Sequence, residues 1–146
     1  MIAIASDHGG FELKKAIIKH LTERGIENTD FGPYTDESCD YPDYAKQVAG
    51  AIVNGEYDAG ILVCGTGIGM SITANKFPGI RAALCGDCFS AQATREHNNA
   101  NILCLGARIV GEGLAIKIVD TFLDTDFSND ERHIRRIKKI EDGETL

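Results

Sequence analysis

At 146 residues, with 43% hydrophobic and 25% charged residues, the chain has the size and composition of one globular domain with its own core. Its net charge of −7 excludes a general binder of nucleic acid or anionic membrane, which needs an excess of Lys and Arg, and leaves any anionic ligand to be met by local groups. No apolar run approaches the roughly 20 residues of a membrane span, and Met1 leads directly into an apolar segment without a basic leader, so the cytosol is the expected compartment.

Met1 to Ser6 is a short apolar strand pattern; Leu13, Ile17 and Leu21 then recur every four residues as one helical face, closed by Gly25. A short strand over Ile26 to Phe31 follows, then a loop from Phe31 to Tyr41 holding Gly32, Pro33 and several acids, then a helix from about Asp43 to Val53. The run from Ala59 to Cys64 is apolar and short, the pattern of a strand buried on both faces. Beyond it come a helix over Met70 to Lys76, a strand over Ile80 to Cys85, a helix over Asp87 to His97 and a strand over Asn101 to Leu105. A helix over Glu112 to Leu123 carries Ala115, Ile118, Val119 and Phe122 in one stripe. Ser128, with Glu131 three residues later, has the spacing of a capping box and opens an amphipathic tail helix over about 128–142 with Ile134, Ile137 and Ile140.

Strands alternating with helices predict one α/β domain over residues 1–146, a three-layer α/β/α Rossmann-like fold. Its five-stranded parallel sheet has the expected order 2-1-3-4-5, and the tail helix has no strand of its own to cover. Ligands of such sheets bind beyond the carboxyl ends of the strands, where the crossover direction switches. The rule selects Asp7-His8-Gly9-Gly10, Cys64 to Gly69, Gly86-Asp87 and Gly106-Ala107-Arg108, and polar residues and glycines gather at all four.

Cys64 ends a buried strand and is followed by Gly65-Thr66-Gly67-Ile68-Gly69, which runs into a helix. Glycines let successive N–H groups converge on an anion, and the same surroundings favour a thiolate. A thiolate beside an oxyanion cradle suits two reactions, attack on a carbonyl or removal of the proton next to one. The plain alternative is a small strand-end residue and a tight turn, but three alternating glycines exceed what a turn needs. The spacing is GxGxG after the third strand, not the dinucleotide GxGxxG after the first, and no GK[ST] follows, which excludes a P-loop.

His8, between Asp7 and Gly9, has the position to shuttle a proton or donate to a phosphate. His97 closes a helix that runs back from this edge, so its own subunit carries it at the opposite edge of the sheet. Either His97-Asn98-Asn99 is a polar helix end, or it serves the site of a neighbouring subunit. Arg132 and Arg136, spaced i,i+4, share one face of the tail helix, and from spacing alone that face reads as solvated and basic along with Arg135, Lys138 and Lys139. The five cysteines are odd in number and scattered, which points to reduced thiols, and Cys85-Gly86-Asp87-Cys88 is a CxxC that leaves a redox use open. Zinc would need a second paired motif that the sequence lacks.

Taken together, Ser6 to Gly10, Asp40-Tyr41-Pro42, Cys64 to Gly69, Glu96-His97-Asn98 and Gly106-Ala107-Arg108 resemble the ribose-5-phosphate isomerase type B family, from the first strand to the tail helix. The resemblance implies interconversion of ribulose 5-phosphate and ribose 5-phosphate with no metal or organic cofactor. It implies that Cys64 moves the proton between C1 and C2, that the backbone from Gly65 to Gly69 holds the enediolate oxygen, and that His97, helped by Thr66, opens the furanose ring. Asp7 and Asn98 would bind hydroxyls, and His8, Arg108, Arg132 and Arg136 would hold the phosphate, which reverses the reading of the two tail arginines. Some members resembling this family carry a glutamate where this chain has Ile68, which leaves Cys64 the one candidate base in the loop. The resemblance also implies homodimers, or tetramers built from them, with active sites shared between subunits. The scaffold is similar to isomerases of galactose 6-phosphate and allose 6-phosphate as well, and outside that class a flavodoxin-like redox or nucleotide-sensing module is the competing expectation.

Overall fold

The computed structural model describes residues 1–143. In chain order the elements are β1 (Ile2–Ser6), a 3-10 turn (His8–Gly10), α1 (Phe11–Glu23), β2 (Asn28–Asp30), α2 (Tyr41–Val53), β3 (Ala59–Cys64), α3 (Ile68–Ala74), β4 (Ala82–Leu84), α4 (Cys88–Asn98), β5 (Ile102–Gly106), α5 (Glu112–Asp124) and α6 (Glu131–Glu141). All strand pairs are parallel, in the order β2-β1-β3-β5-β4.

Alternation along the strands sorts the core into two layers. Ile2, Ile4, Ile61, Val63, Leu103 and Leu105 face α1 and α5, meeting Leu13, Ile17, Leu21, Ala115, Ile118, Val119 and Phe122. Ala3, Ala5, Leu62, Cys64, Ile102 and Cys104 face the other way, toward Ala45, Val48 and Ala49 of α2 and Met70 and Ala74 of α3. Small residues dominate the second face because α2 sits close: a side chain on Gly60 would begin 2.7 Å from a Val48 methyl.

The expected order 2-1-3-4-5 is corrected at its far end, where β5 lies beside β3 and β4 forms the edge. The reason is burial. Every residue of β5 is buried, as an interior strand of a parallel sheet requires, whereas β4 has three residues and leaves Leu84 44% exposed. The capping box at Ser128 is corrected too: α6 starts at Glu131 and its cap is Asp130, which accepts from the Arg132 N–H at 3.0 Å. Asn129 adopts a left-handed φ of 56°, and the Ser128 hydroxyl is engaged instead with His133 Nδ1 at 2.7 Å. The tail helix packs on α4, with the His133 and His97 ring centroids 4.5 Å apart.

Candidate active site

Because β2 and β3 lie on opposite sides of β1, the crossover direction switches between β1 and β3, and their carboxyl ends open the crevice there. Three turns meet at that edge, knitted by main-chain hydrogen bonds. The Asp7 N–H donates to Val63 O at 3.1 Å, the Ala107 N–H to Cys64 O at 2.9 Å, and the Arg108 N–H to Gly65 O at 2.9 Å. Close approach is possible because Gly10 and Gly106 present no side chain: a Cβ on Gly10 would sit 2.5 Å from Val63 O, and one on Gly106 2.7 Å from the Thr66 carbonyl.

Cys64 is 5% exposed, and its Sγ accepts a hydrogen bond from the Gly67 N–H at 3.1 Å. Gly67 reaches this position with a left-handed φ of 78°, and the Leu105 carbonyl lies 3.0 Å from where its Cβ would be, so glycine is required twice over. The Thr66 hydroxyl accepts from the Ile68 N–H at 3.3 Å and stands at the exposed rim. Gly69 lies against the Tyr41 ring, which would be 2.4 Å from a Cβ there. Ile68 is half exposed, at the first position of α3.

Asp7 is 8% exposed, and one of its carboxylate oxygens accepts from the Gly10 N–H at 3.1 Å. His8 is exposed beside it, its Nδ1 accepting from the Cys39 N–H at 3.2 Å. The Arg108 side chain lies across Gly65, with Nε 3.7 Å from where a Gly65 Cβ would start. The edge therefore assembles an acid, an imidazole, a thiol, a bank of N–H groups and a guanidinium.

His97, Asn98, Arg132 and Arg136 are not part of this assembly. Cys64 pairs with Gly106 at the carboxyl end of β5, whereas α4, which ends at Asn98, leads into the amino end at Ile102. A strand of this length separates the two edges by roughly 15 Å. Around the amino edge, His97 and Asn98 are exposed and Arg132 and Arg136 stand on the exposed side of α6. Burial, then the neighbouring His97, holds the His133 imidazole below its ordinary pKa. Asn98 also lines a groove of about 880 Å³ with Arg81, Thr94 and Glu141. A smaller hollow of about 310 Å³, with mostly apolar walls, adjoins the glycine loop at Thr66, Ile68 and Leu84.

The first thiol of the CxxC is in the core. Burial, with the Asp87 carboxylate adding to it, pushes the Cys85 thiol up to about 11, Cys85 is 2% exposed, and all five cysteines are free. Replacing Cys85 and Cys88 together with serine is expected to leave catalytic turnover within about twofold of the parent in a steady-state assay. No group of side chains among the described residues is arranged to hold a metal ion, and among them no helix is long and apolar enough to cross a membrane.

Two contacts were not legible in the sequence. One is the main-chain donor at Cys39, which no residue type announces; the other is the packing of Tyr41 on Gly69, the third glycine of the loop.

Residues 2–140 match the family described as Ribose/Galactose Isomerase. The chain is 51% identical over 139 residues to the ribose-5-phosphate isomerase B of Escherichia coli K12, covering 95% of this chain and 93% of that one. A solved structure of the Clostridium thermocellum ribose-5-phosphate isomerase B superposes with a TM-score of 0.96 at 53% identity, covering 98% of this chain and 96% of that one. That of the Mycoplasma genitalium ribose-5-phosphate isomerase B with bound ribulose-5-phosphate gives 0.92 at 46% identity, over 98% and 95%.

Proposed function

Since the chain belongs to the ribose/galactose isomerase family, we propose that it interconverts ribose 5-phosphate and ribulose 5-phosphate by proton transfer at Cys64. The observation that carries the mechanism is the buried Cys64 Sγ under the Gly67 N–H at the head of a glycine loop. The Cys64 thiolate takes the proton from C2 of the open-chain aldose. The released electron pair forms the C1–C2 double bond, and the C1 carbonyl oxygen becomes the enediolate oxyanion. Main-chain N–H groups between Gly65 and Gly69 supply donors for that oxygen as its charge develops. Returning the proton to C1 from the Cys64 thiol, while the O2 proton passes to O1, gives the C1 hydroxyl and the C2 carbonyl of the ketose and regenerates the thiolate.

Ring opening needs an acid and a base, and His97 supplies them, helped by Thr66. His97 lies at the other end of its own sheet, so the reading requires a second subunit to present His97 and Asn98 across the interface. The working unit is then a homodimer, or a tetramer of such pairs, with shared sites. Asp7 and Asn98 bind sugar hydroxyls, and His8, Arg108, Arg132 and Arg136 bind the phosphate, where paired guanidinium groups suit a dianion. No metal or organic cofactor takes part in these steps, and the cytosol remains the compartment this chemistry implies.

Family membership spans ribose and galactose isomerases, so the substrate is tested directly. Ribose 5-phosphate is expected to be turned over with a kcat/KM at least about 10-fold above that for allose 6-phosphate or galactose 6-phosphate, because one extra carbon must be accommodated. A preference for either six-carbon sugar would replace the five-carbon assignment.

A further inference from the structure

We propose that the loop between β2 and α2 is part of the binding machinery: the Cys39 main-chain N–H locks His8 in one tautomer, and buried Lys14 anchors the loop that delivers it. The inference rests on reading His8 as a phosphate ligand, but the tautomer itself is independent of that reading.

A neutral imidazole has one donor and one acceptor nitrogen, and the partner of one nitrogen decides the other. At His8 the Cys39 N–H donates to Nδ1 at 3.2 Å, so Nδ1 is the acceptor and the ring proton sits on Nε2. The exposed ring then offers Nε2–H as a fixed donor to an anionic oxygen. The Cys39 thiol is too remote to set this state, at 4.0 Å from Nδ1. The main-chain amide carries the effect, not the cysteine side chain.

The loop starts at an unusual anchor. Lys14 is fully buried on α1, although its neighbour Lys15 is exposed. A buried ammonium persists only if fully partnered. Its Nζ donates to Asp30 Oδ1 at 2.9 Å and to the Pro33 carbonyl at 2.5 Å, with the Phe11 and Tyr34 rings 5.3 and 5.9 Å away. The same Asp30 oxygen accepts from the Gly32 N–H at 2.8 Å, the Asp30 carbonyl from the Tyr34 hydroxyl at 2.9 Å, and the Gly32 carbonyl from the Ser6 N–H at 3.0 Å. The Lys14 side chain thus ties α1 and β2 to the loop's first residues, a main-chain bond adds β1, and the loop's last residues close on His8. The reaction makes no use of Lys14 as an acid, base or ligand, so its part is positional.

Nitrogen-15 NMR of the His8 ring in the substrate-free protein tests the lock, alongside steady-state kinetics with ribose 5-phosphate. In the parent, Nε2 should report as protonated and Nδ1 as unprotonated. Cys39→Ala keeps the amide and should keep both the NMR signature and KM. Cys39→Pro removes the amide, and Lys14→Met removes the anchor. Each should mix the two tautomers and raise KM by about 10-fold, with kcat within about threefold, because a fixed charge-assisted donor is lost. A core variant matched in melting temperature, Val48→Ala, should change neither readout, which separates positioning from general destabilisation. An Nδ1–H ring in the parent, or an unchanged ring in both Cys39→Pro and Lys14→Met, would overturn the proposal. A locked ring whose replacement in His8→Ala leaves KM unchanged would instead reject the phosphate-ligand reading and leave the lock standing.

Discussion

Cys64→Ala is expected to lower turnover of ribose 5-phosphate by about 10³-fold and to stop exchange of the C2 proton with deuterated solvent, the range that loss of a positioned base commands. The protein should still fold. Cys64 is a small residue at a strand end, and its loss removes a sulfur and one hydrogen bond, about 1 kcal/mol. The main-chain bonds that shape the loop do not pass through the side chain: the Cys64 carbonyl still accepts from Ala107, and Gly65 from Arg108. Circular dichroism and a thermal melt would establish the fold, and proton exchange followed by NMR would isolate the chemical step from ring opening. Undiminished exchange in a folded variant would remove Cys64 from the mechanism, and no other residue in the loop can accept a proton, since position 68 is isoleucine.

The second large effect is a recovery. Cys64→Ala and His97→Ala subunits, each inactive alone, should regain activity when dissociated together and reassembled. In a hybrid dimer one site has both residues intact and the other has neither. Random reassembly of equal amounts then gives about a quarter of the parent activity, half the dimers being hybrids with one working site each. The expectation follows from the sheet, with Cys64 and His97 at opposite ends of the β3–β5 pair. Confirmed hybrids without activity would place His97 in its own subunit's site, which the parallel register opposes, or outside catalysis altogether.

Much of this was readable from residue order, and the reason is geometric. In a parallel α/β fold every strand points the same way, so the residue after each strand lies at one edge and the residue before each strand at the other. Asp7, Cys64 and Arg108 fall on the first side and His97 on the second with no knowledge of side-chain contacts. Lateral order is less legible. The fourth and fifth strands are both short and apolar, and what separates them is that β5 is shielded on both sides while β4 is not, a property of the finished sheet. Lys14 was hidden for the same kind of reason: its position lies beside the apolar face defined by Leu13, Ile17 and Leu21, and the carboxylate that admits it comes from a strand sixteen residues on. Cys39 was hidden because main-chain donors have no identity in a sequence. At the tail, the cap falls at Asp130 and not at Ser128, with the chain taking a left-handed turn at Asn129 between them.

The turns after β1, β3 and β5 are joined to one another through peptide groups, with glycines where they touch. A frame held in this way is indifferent to most of the side chains it displays. Exchanging Thr66, Ile68 or Arg108 alters what lines the crevice without moving the amides that form it. Divergence within the family therefore has a route that leaves folding intact: sugars of different length can be accommodated by editing the exposed positions, while the amides that would hold the oxyanion are inherited unchanged.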